Sequence, residues 1–338
     1  MERALSATTA TRETTAPAAL DLAPAAPARA RRGTGRLPRR ARMRDAGAAG
    51  PRPPKGMRGA IALSLVPGVA LFVTFFLVPL GMLVVTSLAD WGGIGFEYLG
   101  LDNYSALLSD DTFWKAAKNT LLYCAAGVFI QVPLGVIVGI MLAQRRPGWR
   151  LFRTIVFIPY VISGAAYALI FGLLYNPRYG LLNDAIGLFS VEGRDWLSSS
   201  STALPAIAGT FVFIIGFHVV LVMAEVAAIP RELYEAARLD GATEWQRHRY
   251  VTLPLLRNVI GTLVLITLLF CLALFDVVFI MTKGGPADAT ATLTVYAFRA
   301  YANGAWGYAN AVGVVIVAIG LLLIVGIRRL FRIGERTL

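Results

Sequence analysis

The sequence predicts an all-α membrane protein with six transmembrane helices. Hydrophobic residues make up 57% of the 338-residue chain and charged residues only 15%, well below the roughly 25% of ordinary soluble domains. The mean hydropathy of +0.63 also excludes a disordered polypeptide, because low hydrophobicity is typical of disorder. Six long apolar windows, five of them without any charge, account for this composition.

Each of the six windows is long enough to cross a bilayer, which takes about 20 apolar residues in a helix. Only the fifth contains a charged residue, Asp276. Helix is the expected form, because lipid cannot satisfy unpaired backbone groups and the windows lack the strict alternation of barrel strands. The predicted spans cover residues 61–87, 120–143, 155–175, 204–224, 260–282 and 308–327.

The basic residues predict the orientation in the membrane. Of the 32 Lys and Arg residues, 26 lie in the N-terminal tail, the second loop, the fourth loop and the C-terminal tail. Cytoplasmic segments carry the excess of basic residues, so both termini and these two loops are expected inside the cell. The chain is therefore expected to be a multi-pass protein of the cell (plasma or inner) membrane.

Residues 1–58 differ in composition from the six-helix domain predicted at 59–338. They are rich in Ala, Pro, Thr and Arg and show no apolar periodicity. Such a segment buries too little apolar surface to offset its conformational entropy, so it is expected to be a disordered basic cytoplasmic tail. Basic tails also bind nucleic acid, but the headgroups of the lipid bilayer are the more ordinary partner. We expect no nucleic-acid partner.

No motif in the sequence predicts covalent chemistry. The chain has two histidines, His218 and His248, and two cysteines, and their spacing matches neither a metal-ligand set nor a nucleophile with its base. His218 is instead expected to be a polar contact between helices. The phosphate-binding pattern G-x-x-x-x-G-K-[S/T] is absent from the sequence. We therefore predict a protein that is not an enzyme, with no cofactor or metal of its own.

The fourth loop, residues 225–257, is predicted to be a helical hairpin. Pro230 suits the first turn of a helix and Gly241 suits the position just after its end. Thr243 and Gln246 match a capping box that begins a second helix. The first helix should run from Pro230 to about Asp240.

Small residues share one face of the first helix of this hairpin. Leu233, Ala236, Ala237 and Gly241 follow three-and-four spacing. Small side chains permit another protein surface to dock closely. The alternative is an amphipathic helix that lies on the lipid headgroups.

Several strings resemble one family of membrane proteins. Glu235-Ala236-Ala237, followed by Gly241 and by Leu253-Pro254, closely resembles the EAA loop of permease subunits from binding-protein-dependent ABC importers. The resemblance extends over roughly residues 60 to 338. Three further strings are similar to the carbohydrate-uptake branch, the maltose or glycerol-phosphate type of inner-membrane component: Gly100-Leu101-Asp102-Asn103-Tyr104, Thr282-Lys283-Gly284-Gly285-Pro286 and Gly307-Tyr308-Ala309-Asn310-Ala311.

The resemblance implies a type I ABC importer permease fold and a set of partners. These are a second permease subunit, ABC ATPase subunits that hold ATP and Mg, an extracellular sugar-binding protein and a mono- or oligosaccharide substrate. The hairpin would couple this chain to the ATPase through Glu235, Ala236, Ala237, Leu239, Asp240 and Gly241. Two departures stand out: the 58-residue tail has no counterpart in the family, and His248 occupies a position that is often aromatic.

Candidate residues for the substrate path are selected by their position in the membrane and their side-chain chemistry. Polar groups at membrane depth are costly and should face the bundle interior or a water-filled path, which selects Gln131 and Asp276. Sugars bind beside hydrogen-bonding groups and apolar faces, which adds Tyr123, Tyr167, Phe275 and Phe279. Ordinary aromatic packing is the alternative for each aromatic residue.

Three other functions stay open at this point. One is an ion-gradient-driven secondary transporter, although the sequence shows no internal duplication of the kind such proteins carry. Another is an ABC importer for a non-sugar solute such as a polyol phosphate. The third is a membrane scaffold whose hairpin recruits a cytosolic partner without transport.

Overall fold

The computed structural model describes residues 57–188 and 193–331. The predicted basic tail lies outside this range, apart from its last two residues. Within the described residues, four continuous helical stretches are long and apolar enough to cross a membrane: Leu63–Thr86, Asp111–Ala143, Ala203–Ala228 and Trp306–Phe331. Two pairs of bent helices raise the number of spans to six if each pair counts as one.

Among the described residues up to Ala228, the chain forms ten α-helices and one small sheet. Span 1 comprises α1 and α2, span 2 comprises α4 and α5, the bent pair comprises α6 and α7, and the fourth stretch comprises α9 and α10. The bounds are α1 Met57–Phe72, α2 Val78–Thr86, β1 Ala89–Asp90, β2 Glu97–Tyr98, α3 Asp102–Ser109, α4 Asp111–Ala126, α5 Val132–Ala143, α6 Trp149–Val161, α7 Gly164–Leu174, α8 Leu181–Gly187, α9 Ala203–Gly209 and α10 Gly216–Ala228. The two strands pair antiparallel.

The second half carries the hairpin and the last spans. The bounds are α11 Arg231–Leu239, α12 Glu244–Arg247, α13 Leu253–Leu255, α14 Arg257–Leu272, α15 Asp276–Thr282, α16 Leu293–Ala302 and α17 Trp306–Phe331. A short 3-10 turn, Thr210–Phe213, lies between α9 and α10.

Three π-helical turns interrupt the described helices, and each ends two residues before a proline. They are Val73–Leu77, Gly127–Gln131 and His248–Thr252, and the prolines that follow are Pro79, Pro133 and Pro254. A proline lacks the backbone N–H and its ring crowds the carbonyl one turn earlier. A wider turn at that point lets the helix continue without the clash, which explains the shared position.

The third predicted span is not one straight helix. The helix that begins at Trp149 ends at Val161, two residues after Pro159, and α7 leaves at an angle of 102°. Ser163 begins α7, because its side chain accepts a hydrogen bond from the Ala166 amide at 3.3 Å. The proline and the Ser cap together explain the bend inside residues 155–175.

The fifth predicted span is also divided. The helix from Arg257 ends at Leu272 and resumes at Asp276, inside the predicted range 260–282. The Leu274 carbonyl, freed by the break, accepts hydrogen bonds from the hydroxyls of Thr292 at 2.8 Å and Thr294 at 2.6 Å. Apolar length alone does not reveal such a break, because its partners lie 18 and 20 residues further along the chain.

Small residues allow the central helices to pack closely. A Cβ atom added at Gly139 in α5 would lie 2.7 Å from the Cβ of Val222 in α10. One added at Gly127 would lie 2.7 Å from Thr267 and 2.9 Å from the Cys271 sulfur, both in α14. Close approach at small residues is a common way for membrane helices to associate. The core between α4, α5, α10 and α14 depends on these glycines.

Candidate functional site

The hairpin forms as the local sequence predicts. Its first helix ends with Gly241 at a φ of +78°. The Gly241 amide donates to the Arg238 carbonyl at 3.0 Å and the Ala242 amide to the Ala237 carbonyl at 2.9 Å, the two bonds of a Schellman motif. The predicted end of the first helix is therefore confirmed.

The second helix of the hairpin begins with the predicted capping box. The Gln246 amide donates to the Thr243 hydroxyl at 3.3 Å, and the Thr243 amide donates to the Gln246 side-chain oxygen at 2.8 Å. Both bonds satisfy backbone donors that a helix start leaves free. Because the two motifs adjoin, the turn between the helices is fixed by consecutive residues.

A chain of polar contacts ties the hairpin to the bundle. The Tyr234 hydroxyl lies 3.0 Å from the hydroxyl of Thr252, which is fully buried. Thr252 also lies 3.3 Å from Nδ1 of His248, and Nε2 of His248 lies 3.3 Å from the Gln144 side chain. His248, the residue that departs from the family pattern, thus links α12 to the end of α5.

The predicted coupling residues divide between two sides of α11. Arg231, Tyr234, Glu235 and Arg238 follow three-and-four spacing and line a cleft of about 670 Å³ between the hairpin and the ends of α5 and α10. Leu239 is 90% exposed. Ala236, Asp240 and Gly241 are also exposed, and Ala237 is half-buried. Glu235 therefore belongs to the cleft wall, whereas Leu239 and the turn project outward.

Three of the six predicted substrate-path residues are packed inside this chain. Tyr123 is fully buried with its ring 6.1 Å from that of Phe211. The Tyr167 hydroxyl donates to the Thr210 carbonyl at 2.6 Å. Gln131 is 2% exposed and its amide donates to the Ile214 carbonyl at 2.8 Å. Thr210 begins the 3-10 turn and Ile214 follows its end, so these side chains satisfy carbonyls at a helix break that the sequence did not reveal.

The other three predicted residues lie together at the break between α14 and α15. The rings of Phe275 and Phe279 stack at 5.0 Å, and both meet Phe298 of α16 edge-on, at 5.1 and 5.0 Å. Asp276 is exposed, and its carboxylate would lie 2.8 Å from a Cβ atom at Gly164, the first residue of α7. Phe298 could not be found from the sequence, because no local motif connects α16 with α15.

His218 is a polar contact between helices, as predicted. It is 4% exposed and its Nε2 lies 2.8 Å from the Thr267 hydroxyl. Within the described residues, no group of three or more His, Cys, Asp or Glu side chains could hold a metal ion.

Apolar helices long enough to cross a membrane, together with an exposed and capped hairpin, agree with the permease class that the sequence resembles. The chain belongs to the family described as binding-protein-dependent transport system inner membrane component, whose model matches residues 131–336. This confirms the resemblance drawn from the EAA string and the predicted fold class.

Individual relatives and solved structures agree with the family. The chain is 34% identical over 286 residues to a probable ABC transporter permease of Bacillus subtilis, covering 81% of this chain and 96% of that one. It is 34% identical over 270 residues to the diacetylchitobiose uptake permease of Streptomyces coelicolor, covering 75% and 76%. A bacterial ABC transporter involved in alginate import contains a chain of the same fold, with a TM-score of 0.73 at 21% identity over 83% of this chain and 98% of that one.

Proposed function

We propose that this permease moves a mono- or oligosaccharide into the cell, driven by ATP hydrolysis in a separate ATPase. Support for a sugar comes from relatives named for diacetylchitobiose, trehalose and maltose, and lactose. An external sugar-binding protein would deliver the substrate and a second permease subunit would complete the path. The hairpin would face the cytoplasm, in agreement with the distribution of basic residues.

The observation that carries the proposal is the exposed hairpin and its connection to the spans. Its turn and Leu239 are open to a partner, and exposed small and apolar side chains suit insertion into a groove of the ATPase. The second part of the hairpin, Glu244–Leu255, meets α14 at a bend of 66°. Leu256, at the bend, is fully buried. A rotation of the hairpin would therefore move the fifth span directly.

The coupling role is tested by comparing Gly241→Asp with Gly95→Asp. Both glycines have a positive φ, +78° and +81°, and open space around an added Cβ, so the two substitutions carry similar strain and the same charge. In proteoliposomes that contain the whole transporter, Gly241→Asp should abolish ATP-dependent sugar uptake and weaken ATPase co-purification. Gly95→Asp should leave ATPase co-purification unchanged.

Two outcomes contradict the proposed energy source. One is uptake by the wild type that persists without ATP but collapses with a protonophore, which would favour the gradient-driven transporter. The other is equal ATPase recruitment and uptake in Gly241→Asp and the wild type.

The substrate class is tested separately, by calorimetry of the co-purified external binding protein with a panel of sugars and one polyol phosphate. Tightest binding of the polyol phosphate would contradict the sugar assignment.

The three-ring cluster of Phe275, Phe279 and Phe298 is the proposed substrate contact in this chain. Aromatic faces suit sugar rings, and loss of one such contact corresponds to roughly tenfold in affinity. Phe298→Ala should therefore raise the KM of uptake by about tenfold while ATPase recruitment is unchanged. Phe129→Ala is the control, because the Phe129 ring lies in the π-helical turn between α4 and α5 and is 78% exposed. Equal KM values for the two variants would remove the cluster from the path.

A further inference from the structure

The cleft behind the hairpin has a strongly basic wall. Five arginines line it, Arg145, Arg146, Arg231, Arg238 and Arg247, against two acidic residues, Glu235 and Glu244. Among the described residues, only Arg146 of these five has an ion pair, with Glu244 at 3.5 Å between two well-exposed side chains. The cleft thus keeps an excess of positive charge.

Three of these guanidinium groups form no ion pair among the described residues. Within residues 57–188 and 193–331, the side chains of Arg231, Arg238 and Arg247 have neither an ion pair nor a hydrogen bond. The Nε atom of Arg247 is itself buried without a partner, which is costly for a charged donor unless a ligand supplies the acceptor. Guanidinium groups form paired hydrogen bonds with phosphate oxygens particularly well.

The ends of two spans contribute apolar side chains to the wall of the cleft. Ile140 and Ala143 lie in the last turn of α5, and Val226 and Ala227 lie in the last turn of α10. Both helices end there, at the level where membrane spans give way to loops. A ligand of this cleft therefore meets both arginines and apolar side chains.

We propose that this basic cleft binds a phosphate group and that an anionic phospholipid of the adjacent leaflet supplies it. The headgroup phosphate would lie between Arg231, Arg238 and Arg247, and the acyl chains would follow the apolar wall of α5 and α10. The general excess of basic residues in cytoplasmic loops explains the number of arginines but not the convergence of five of them, against two carboxylates, on one cleft. This inference does not depend on which solute the permease carries.

The test is a binding measurement on the full-length chain in detergent at low ionic strength. Native mass spectrometry would follow titrations with dioctanoyl phosphatidylglycerol, dioctanoyl phosphatidylcholine and inorganic phosphate. We expect one tight phosphatidylglycerol site. The variant Arg238→Gln with Arg247→Gln should bind it about a hundredfold more weakly, since two charge-assisted contacts are lost at roughly tenfold each. Phosphatidylcholine, which has no net charge, should not compete.

Two further variants keep the result interpretable. The variant Arg231→Gln with Arg238→Gln changes only residues on the exposed α11 helix, so it should fold normally. It should also lose phosphatidylglycerol binding, because both arginines line the cleft. Arg249→Gln removes one positive charge from the same loop outside the cleft, where the Arg249 guanidinium lies over the Tyr250 ring at 5.7 Å. It should change the affinity less than about twofold, because exposed charges away from a ligand contribute little.

Three results would overturn the proposal or its lipid source. Equal phosphatidylglycerol affinity in the wild type and both double variants would show that the cleft does not bind phosphate. Tight binding of inorganic phosphate at the same arginines, without tighter binding of the lipid, would reject the lipid as the source. Loss of ATPase binding in the double variants with unchanged lipid binding would assign the arginines to the ATPase.

Discussion

Hydrogen bonds hold the shape of both the hairpin at residues 225–257 and the loop at residues 282–292. The two segments differ in how far apart along the chain the bonded residues lie. In the hairpin, the Schellman motif and the capping box join residues three to five positions apart. In the loop, Asn119 donates to the carbonyls of Asp288 at 2.8 Å and Ala291 at 3.0 Å, about 170 residues away. One segment is therefore specified by its own sequence and the other by its surroundings.

The loop also holds a backbone that its own sequence does not favour. Lys283, Ala287 and Asp288 all have positive φ values, between 48° and 62°, a region that side chains other than glycine rarely occupy. Arg299 compensates by donating to the Asp288 carboxylate at 2.5 Å and to the Lys283 carbonyl at 2.6 Å. Strained backbone of this kind persists only where neighbouring contacts determine it.

The largest effect should follow from Asn119→Ala. The substitution removes the amide that donates to both carbonyls, in a region where Asn119 is only 7% exposed. The Ala291 carbonyl loses its partner, and the Asp288 carbonyl keeps only the Ala291 amide at 3.3 Å. We expect the free energy of unfolding to fall by about 2 kcal/mol, since a buried unpaired group costs roughly 1–3 kcal/mol. The check is the thermal unfolding midpoint of the purified chain.

The control for Asn119→Ala is Asn303→Ala, at an exposed asparagine that ends α16. It should leave the midpoint nearly unchanged, because surface substitutions usually stay within about 0.5 kcal/mol. Similar shifts for the two variants would mean that Asn119 does not organise the loop.

The contrast between the two segments explains what the sequence could predict. The hairpin could be predicted because its helix ends depend on residues that act on their immediate neighbours, namely Pro230, Gly241, Thr243 and Gln246. The break after Leu272 could not be predicted, because the side chains that satisfy Leu274 follow a further loop and helix start. Likewise, Phe298 joins Phe275 only through the fold. Tyr123 and Tyr167 are buried in the core cluster against which Phe275 and Phe279 pack.

A smaller effect is expected from Arg299→Gln. The ion pair with Asp288 is partly exposed, with 36% and 28% of the two side chains accessible, so solvent screening lowers its contribution. Because the same guanidinium also supports the Lys283 carbonyl, we expect a loss of about 1 kcal/mol. A double-mutant cycle with Asp288→Asn measures the pair, and an interaction energy near zero would leave the backbone contact as the only role of Arg299.

Within the hairpin, Thr243→Ala should act locally. Loss of an N-cap costs about 1 kcal/mol, which corresponds to a roughly fivefold larger population of the locally open state. Hydrogen exchange of the amides in α12 should rise by that factor, while the thermal midpoint of the whole chain stays the same. A lower midpoint without faster local exchange would show that the hairpin and the bundle unfold as one unit, and the contrast with the loop would disappear.

The smallest effect should come from Tyr234→Phe, which deletes only the hydroxyl that lies 3.0 Å from Thr252. Thr252 keeps its contact with His248 at 3.3 Å, so the loss should be about 0.5–1 kcal/mol. If this contact anchors the hairpin to the fifth span, ATP hydrolysis should continue while less sugar is moved for each ATP consumed. The ratio of transport to hydrolysis in proteoliposomes measures this directly. An unchanged ratio would mean that the covalent connection through Leu256 transmits the motion without help from the polar contacts.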